Sequence, residues 1–141
     1  MRTIKFRGKC AKDSRYSGEW VDGACVQCEK SNDVLIIYAI NDRNSCSYHV
    51  VPDTVGQFTG LYDKNGEEIY EGDIIKTKFY GKEYGNINVP DFDMFIVKFI
   101  DGCFRVVNIE GTRMFYLQDG SHFEIVGNIH DNTELQKGGE E

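Results

Sequence analysis

The stretch that most limits how this chain can fold is residues 51–75, VPDTVGQFTGLYDKNGEEIYEGDII. Pro52 restricts Val51 to extended geometry. Asp53 or Thr54 can cap one helical turn over residues 55–57, with glycine close behind to end it. Residues 58–62 read as extended, Asp63-Lys64-Asn65-Gly66 as a tight turn with Asn-Gly open to positive φ, and residues 67–70 as the returning strand. Glu71-Gly72-Asp73 turns once more, and residues 74–80 begin the next strand. The segment reads as a joint between an N-terminal and a C-terminal β region.

Ahead of it, residues 2–9 (RTIKFRGK) alternate with a period of two. Ile4 and Phe6 fall on one face, and Thr3, Lys5, Arg7 and Lys9 on the other. After a polar turn near residues 13–18, residues 19–23 read as a short strand whose Trp20 is expected to fill a core. Residues 24–33 give no clear pattern. The apolar run VLIIYAI (34–40), the polar NDRNS (41–45) and CSYHVV (46–51) make a hairpin. Behind the joint, residues 93–100 and 103–109 flank Asp101-Gly102, a strong two-residue hairpin signal. Glu110-Gly111 leads to residues 113–117, and Asp119-Gly120 to 122–129. Such turns between aromatic and β-branched runs predict a small barrel or a strongly curled sheet. Residues 81–90 read as a looser loop and 136–141 as a polar, disordered tail.

Composition agrees with a β reading: 15 Gly, 2 Pro, and 13% aromatic residues within 40% hydrophobic. The net charge of −7 does not suit a general nucleic-acid binder, but it is unevenly placed. Residues 1–16 carry a net +5 and the remainder −12. No apolar run is long enough to span a bilayer, and no signal peptide follows the basic N-terminus. Five cysteines, without framework spacing, predict free thiols in a reducing, cytoplasmic setting.

Three blocks, in order, resemble the YopX family of bacteriophage and prophage proteins. IKFRGK with Trp20-Val21-x-Gly23 is similar to the family's opening. Residues 51–61 (V-x-DTVGQFTGL), Asp63-Lys64-Asn65-Gly66 and residues 69–75 (IYEGDII) are similar to its central signature. Residues 123–129 (FEIVGNI) with Asp131-Asn132 and Glu134-Leu135 are similar to its C-terminal motif. Asp53 and Thr133 stand where the family usually has Glu and often has Pro. The resemblance implies a mainly β fold, with N-terminal β-hairpins in residues 1–50 and a connecting helical turn and hairpin in 51–72. It further implies an SH3-like β-barrel in 73–130, with a polar tail in 131–141. It implies a phage or prophage accessory protein in the bacterial host cytoplasm, and it brings no activity, cofactor or catalytic residues.

The residues themselves point to few chemistries. Cys25 and Cys28 have the spacing by which two thiolates hold zinc, but a closed site needs partners such as Cys10, Cys46 or His49, and no second pair exists. The carboxylates Asp63, Glu67, Glu68, Glu71 and Asp73 fail as a calcium loop, because Glu68 stands at the glycine position and Ile74 at the bidentate position. Asp63 and Asp73 read as turn acceptors. His49, His122 and His130 stand beside no nucleophile motif, and no hydrolase, metalloprotease or nucleotide fingerprint occurs. No enzyme activity and no cofactor are expected. The basic stripe of Lys5, Arg7 and Lys9, supplemented by Arg2, Lys12 and Arg15, is open to three readings: a solvated face, a contact with an acidic protein surface, or phosphate binding. The favoured function is an interaction or assembly module that self-associates or meets a host or phage protein, because exposed strand edges need partners. Nucleic-acid binding through the basic strand is the alternative.

Overall fold

The computed structural model describes residues 2–12, 16–27, 35–40, 45–77 and 93–137. The chain is mainly β, with eleven strands among the described residues: β1 Phe6–Lys9, β2 Trp20–Gln27, β3 Leu35–Ile40, β4 Ser45–Val50, β5 Gly56–Tyr62, β6 Glu68–Tyr70, β7 Asp73–Thr77, β8 Asp93–Ile100, β9 Cys103–Asn108, β10 Met114–Tyr116 and β11 Glu124–Asn128. They form two antiparallel sheets, ordered β4-β3-β2-β1-β5-β6 and β10-β9-β8-β7-β11. The only helical pieces among the described residues are two 3-10 turns, Pro52–Thr54 and Thr133–Lys137. None of the described helices is long and apolar enough to cross a membrane. Two compact units divide the chain, Met1–Phe58 and Thr59–Glu141.

In the first unit β1 lies between β2 and the start of β5, pairing Phe6 with Gly23 and with Gln57. The strand begins later than the alternation in residues 2–9 suggests: Arg2, Thr3 and Ile4 lie outside it, and Ile4 is 57% exposed. In contrast, β2 is longer than expected. It runs through Gly23 to Gln27, because Phe6 pairs with Gly23 on one side while Tyr38 pairs with Ala24 on the other. Backbone partners on both edges hold a Gly-Ala step extended where its composition suggests a turn. The expected hairpin of β3 and β4 is present, from Leu35–Val50 to Ile40–Ser45.

The helical turn near the joint sits earlier than predicted. It occupies residues 52–54, with Pro52 at its start, while residues 56–62 are already strand. Proline's fixed φ and missing N–H suit the first helical position, so the turn starts at Pro52 and does not wait for a cap at Asp53 or Thr54. Thr54 instead ties the turn down: its buried hydroxyl donates to the Val51 carbonyl at 2.6 Å and accepts from the Lys9 amide at 2.9 Å.

In the second unit β7, β8, β9 and β10 follow one another as a meander, and β11 returns beside β7. Ile69, Ile75, Phe95, Val97, Val106 and Phe123 form the buried core, with Leu61, Phe115, Leu117 and Ile125 packed against it. Ile75, Phe95, Val97, Val106 and Phe115 are brought onto one side of the sheet by the pairings Ile75–Phe95, Val97–Val106 and Phe115–Val106. The Asp101-Gly102 hairpin adopts the expected geometry, with φ of 52° and 81° at the two turn residues. Ile125 and Gly127 mark a bulge between β11 and β7. No pairing closes β10 onto β11 among the described residues, so the architecture is a five-stranded sheet with two ends. Residues 133–137, expected to fall within a polar tail, form a 3-10 turn, and the Gln136 side-chain amide donates to the Ile129 carbonyl at 3.1 Å.

Candidate interaction surface

Arg7 and Lys9 of β1 share one face of the strand, as the period of two requires, and with Lys5 just before it they are not a plain solvated stripe. Lys5, Arg7 and Lys9 are half-buried. Arg7 lies 4.8 Å over the Trp20 ring, Lys9 6.0 Å from the same ring, and Lys5 5.3 Å over Phe58. The register explains the first two contacts: Lys9 is directly opposite Trp20 and Arg7 opposite Asp22. A cation over an indole face is held by the ring quadrupole, so these side chains are positioned and not swept through solvent. Trp20 is therefore a half-buried support for two cations, where the sequence suggests a core residue. Arg2 and Lys12 are exposed, and Arg15 lies outside the described residues. Tyr16, 43% exposed, packs edge-on against Tyr48 at 5.7 Å.

The second unit carries the other conspicuous surface, which sequence reasoning missed. Lys98, Arg105 and Tyr116 are cross-strand neighbours on β8, β9 and β10. The Arg105 guanidinium stacks 4.9 Å over the Tyr116 ring, while its Nε donates to Cys103 Sγ at 3.2 Å. Beside this row stands Met114, opposite Val107. Tyr116 and Met114 are 59% and 48% exposed, and Phe99, packed edge-on against Phe104 at 5.1 Å, is 49% exposed. Met114 and Tyr116 share one face of the sheet and Phe99 lies on the other, and β10 has no strand beyond it among the described residues.

The carboxylates of the joint are structural acceptors. Asp63 Oδ1 accepts from the amides of Asn65 and Glu67 at 2.8 and 2.9 Å, and Oδ2 accepts from Ile125 at 3.1 Å. Burial pushes the Asp63 carboxyl up, but the amides of Ile125, Glu67 and Asn65, with Lys64 nearby, outweigh it and hold the group below the usual aspartate value. Asp73 is buried and accepts from the Tyr70 amide at 2.8 Å. Glu124 is held low by hydrogen bonds from Lys64 and Lys76, each 3.3 Å away.

The cysteine and histidine candidates fall on several elements, with Cys10 bridged to Val50 beside His49 and Cys46 in β4. Cys10 is buried in the first unit, and Cys25 is half-buried, where burial raises its thiol above the usual value. Cys28 lies outside the described residues, as does the loop at residues 81–90. His49 and His122 are exposed, and His130 is half-buried near Gly72. Among the described residues, no three His, Cys, Asp or Glu side chains gather as a metal cluster would need.

Comparison with known proteins places this architecture. Residues 5–137 match the family of the YopX protein. The chain belongs to the YopX family. The match runs from the basic strand β1 to the second 3-10 turn, so it takes in most of both compact units. In three dimensions this YopX-family chain is similar to protein EF1440 from Enterococcus faecalis, known from a crystal structure. That likeness has a TM-score of 0.53 at 21% identity, covering 96% of this chain and 99% of that one. At that identity it is a likeness of fold. No curated protein matches the chain in sequence.

Proposed function

We propose that this YopX-family chain is a non-enzymatic accessory protein of a bacteriophage or prophage, working in the bacterial host cytoplasm as a protein-interaction or assembly module. The observation that carries the reading is the β10 end of the second unit, where Met114 and Tyr116 stand exposed on a strand that is terminal among the described residues. A strand at the end of a sheet offers unpaired backbone groups, and exposed large apolar side chains there favour a protein partner over water. The SH3-like form of residues 73–130 belongs to this reading. The meander β7 to β10, with β11 returned beside β7, is the strand order such a partly open barrel would have.

Sedimentation equilibrium over a broad concentration range tests the self-association. The wild-type mass is expected to rise above the 16.1 kDa of one chain, and a Met114→Lys/Tyr116→Lys double variant is expected to stay there. A wild-type protein of one-chain mass at every concentration would remove self-association from the reading.

A second reading is supported by the cation row on Trp20 and Phe58: a nucleic-acid-binding module using Lys5, Arg7 and Lys9. It predicts binding to single- or double-stranded nucleic acid that weakens steeply with salt. Changing the three residues together to Glu is expected to abolish that binding in a folded protein, and binding indifferent to the change would end this reading.

A further inference from the structure

The hydrogen bonds that hold β10 to β9 determine which of its backbone groups remain to be used. The Asn108 amide donates to the Arg113 carbonyl at 3.0 Å, and the Leu117 amide donates to the Phe104 carbonyl at 3.1 Å. Phe115 is paired with Val106 in the same register. In an antiparallel ladder, alternate residues direct both backbone groups to the same neighbour. Residues 113, 115 and 117 therefore face β9. Met114 and Tyr116, the two residues between them, direct their amides and carbonyls away from it. These are also the two with the most exposed side chains on this strand.

We propose that β10 pairs antiparallel with β10 of a second copy across a two-fold axis at Phe115, joining two five-stranded sheets edge to edge. The inference rests on the assembly reading above and names its partner and register. With Met114 opposite the partner's Tyr116 and Tyr116 opposite the partner's Met114, all four outward groups of each strand are used in inter-chain hydrogen bonds. No other centre of symmetry on a three-residue strand uses them all. The side chains agree with this register. On one face each Met114 meets the partner's Tyr116, a thioether against an aromatic ring, which is a favourable contact. On the other face the two Phe115 rings, packed on their own cores, are brought side by side at the non-hydrogen-bonded position where side chains stand closest. Continuing the ladder sets Arg113 opposite the partner's Leu117, so no like charges are opposed within it.

Charge sets the condition under which such a pair forms. Residues 59–141 contain eight Lys and Arg against sixteen Asp and Glu, a net −8, so two second units repel at long range. Salt screens that repulsion and leaves the short backbone bonds intact, so association strengthens as ionic strength rises.

Cross-linking tests the register. In a directly opposed pair the Cα atoms stand close enough for a disulfide, whereas two copies of residue 114, or two of residue 116, are diagonal and too far apart. Mixing Met114→Cys protein with Tyr116→Cys protein under mild oxidation is expected to give about tenfold more cross-linked dimer than either alone or the oxidised wild type, whose own cysteines supply the background. Met114→Pro removes one outward amide and none of those facing β9, and it is expected to sediment as a monomer with its circular dichroism unchanged. Should that variant misfold, Tyr116→Lys serves in its place. Equal cross-linking by the single variants, or association that survives a folded edge variant, overturns the pairing and leaves self-association standing. A wild-type chain that is monomeric at all concentrations and salts overturns both.

Discussion

Gly120→Ala is expected to be among the most destabilising single substitutions in the second unit, at about 3 kcal/mol or failure to fold. A Cβ at this buried glycine would fall inside van der Waals contact with the Tyr62 carbonyl oxygen and lie 2.7 Å from Ile69 Cδ1. The first obstacle is backbone within β5 and the second a fully buried core side chain, so neither can step aside without disturbing the core. Gly111→Ala is the control. Its φ of 76° disfavours a side chain, but nothing lies within 4 Å of the added methyl, so a cost of about 1–2 kcal/mol is expected. Urea denaturation of the two variants against wild type measures the difference. A Gly120→Ala protein no less stable than Gly111→Ala would show that Tyr62 and Gly120 do not pack as described.

Removing the Asp63 carboxylate is expected to have the second largest effect, about 3 kcal/mol for Asp63→Ala, because three backbone amides on two segments lose their acceptor. Asp63→Asn keeps one acceptor oxygen for the turn amides of Asn65 and Glu67 but turns an NH2 towards the Ile125 amide, so about half the loss is expected. The pH dependence comes from the sign of the shift. The folded Asp63 carboxyl titrates below its unfolded value, so its stabilisation is complete above about pH 3.9 and fades as pH falls through the folded value. Thermal unfolding between neutral pH and pH 2 or so is therefore expected to show a shallower acid loss for Asp63→Asn than for wild type. Parallel acid limbs in the two proteins would mean that Asp63 is not the acceptor joining the 63–67 turn to β11.

Much of this fold is legible in residue order, because many of its turns are local. Asp101-Gly102 and the 63–66 turn need only a few neighbouring residues to act, and both adopt positive φ at glycine as their composition requires. Asp63 and Asp73 are readable as acceptors for the same reason. What cannot be read depends on partners distant in sequence. Gly120 looks like half of another Asp-Gly turn, yet its glycine is required by the approach of Tyr62 and Ile69, more than fifty residues earlier. The Gly23-Ala24 step looks like a break and is held extended by Phe6 and Tyr38. The basic alternation of β1 is plain in the sequence, but its stacking on Trp20 and Phe58 depends on pairing with β2 and β5. The β10 surface is hidden for a related reason. Composition shows that Met114 and Tyr116 belong to a strand, while only the sheet order shows that no described strand lies beyond it.

The central claim is that the outward backbone groups of β10 are a contact for another chain, and amide hydrogen exchange reads them directly. At low protein concentration the amides of Met114 and Tyr116, which face away from β9, are expected to exchange quickly, while that of Phe115, paired with β9, is protected. As concentration and salt rise, protection of Met114 and Tyr116 is expected to grow in parallel with the sedimenting mass, with Phe115 little changed. Exchange at Met114 and Tyr116 that stays fast while the protein associates would place the contact elsewhere and contradict the claim.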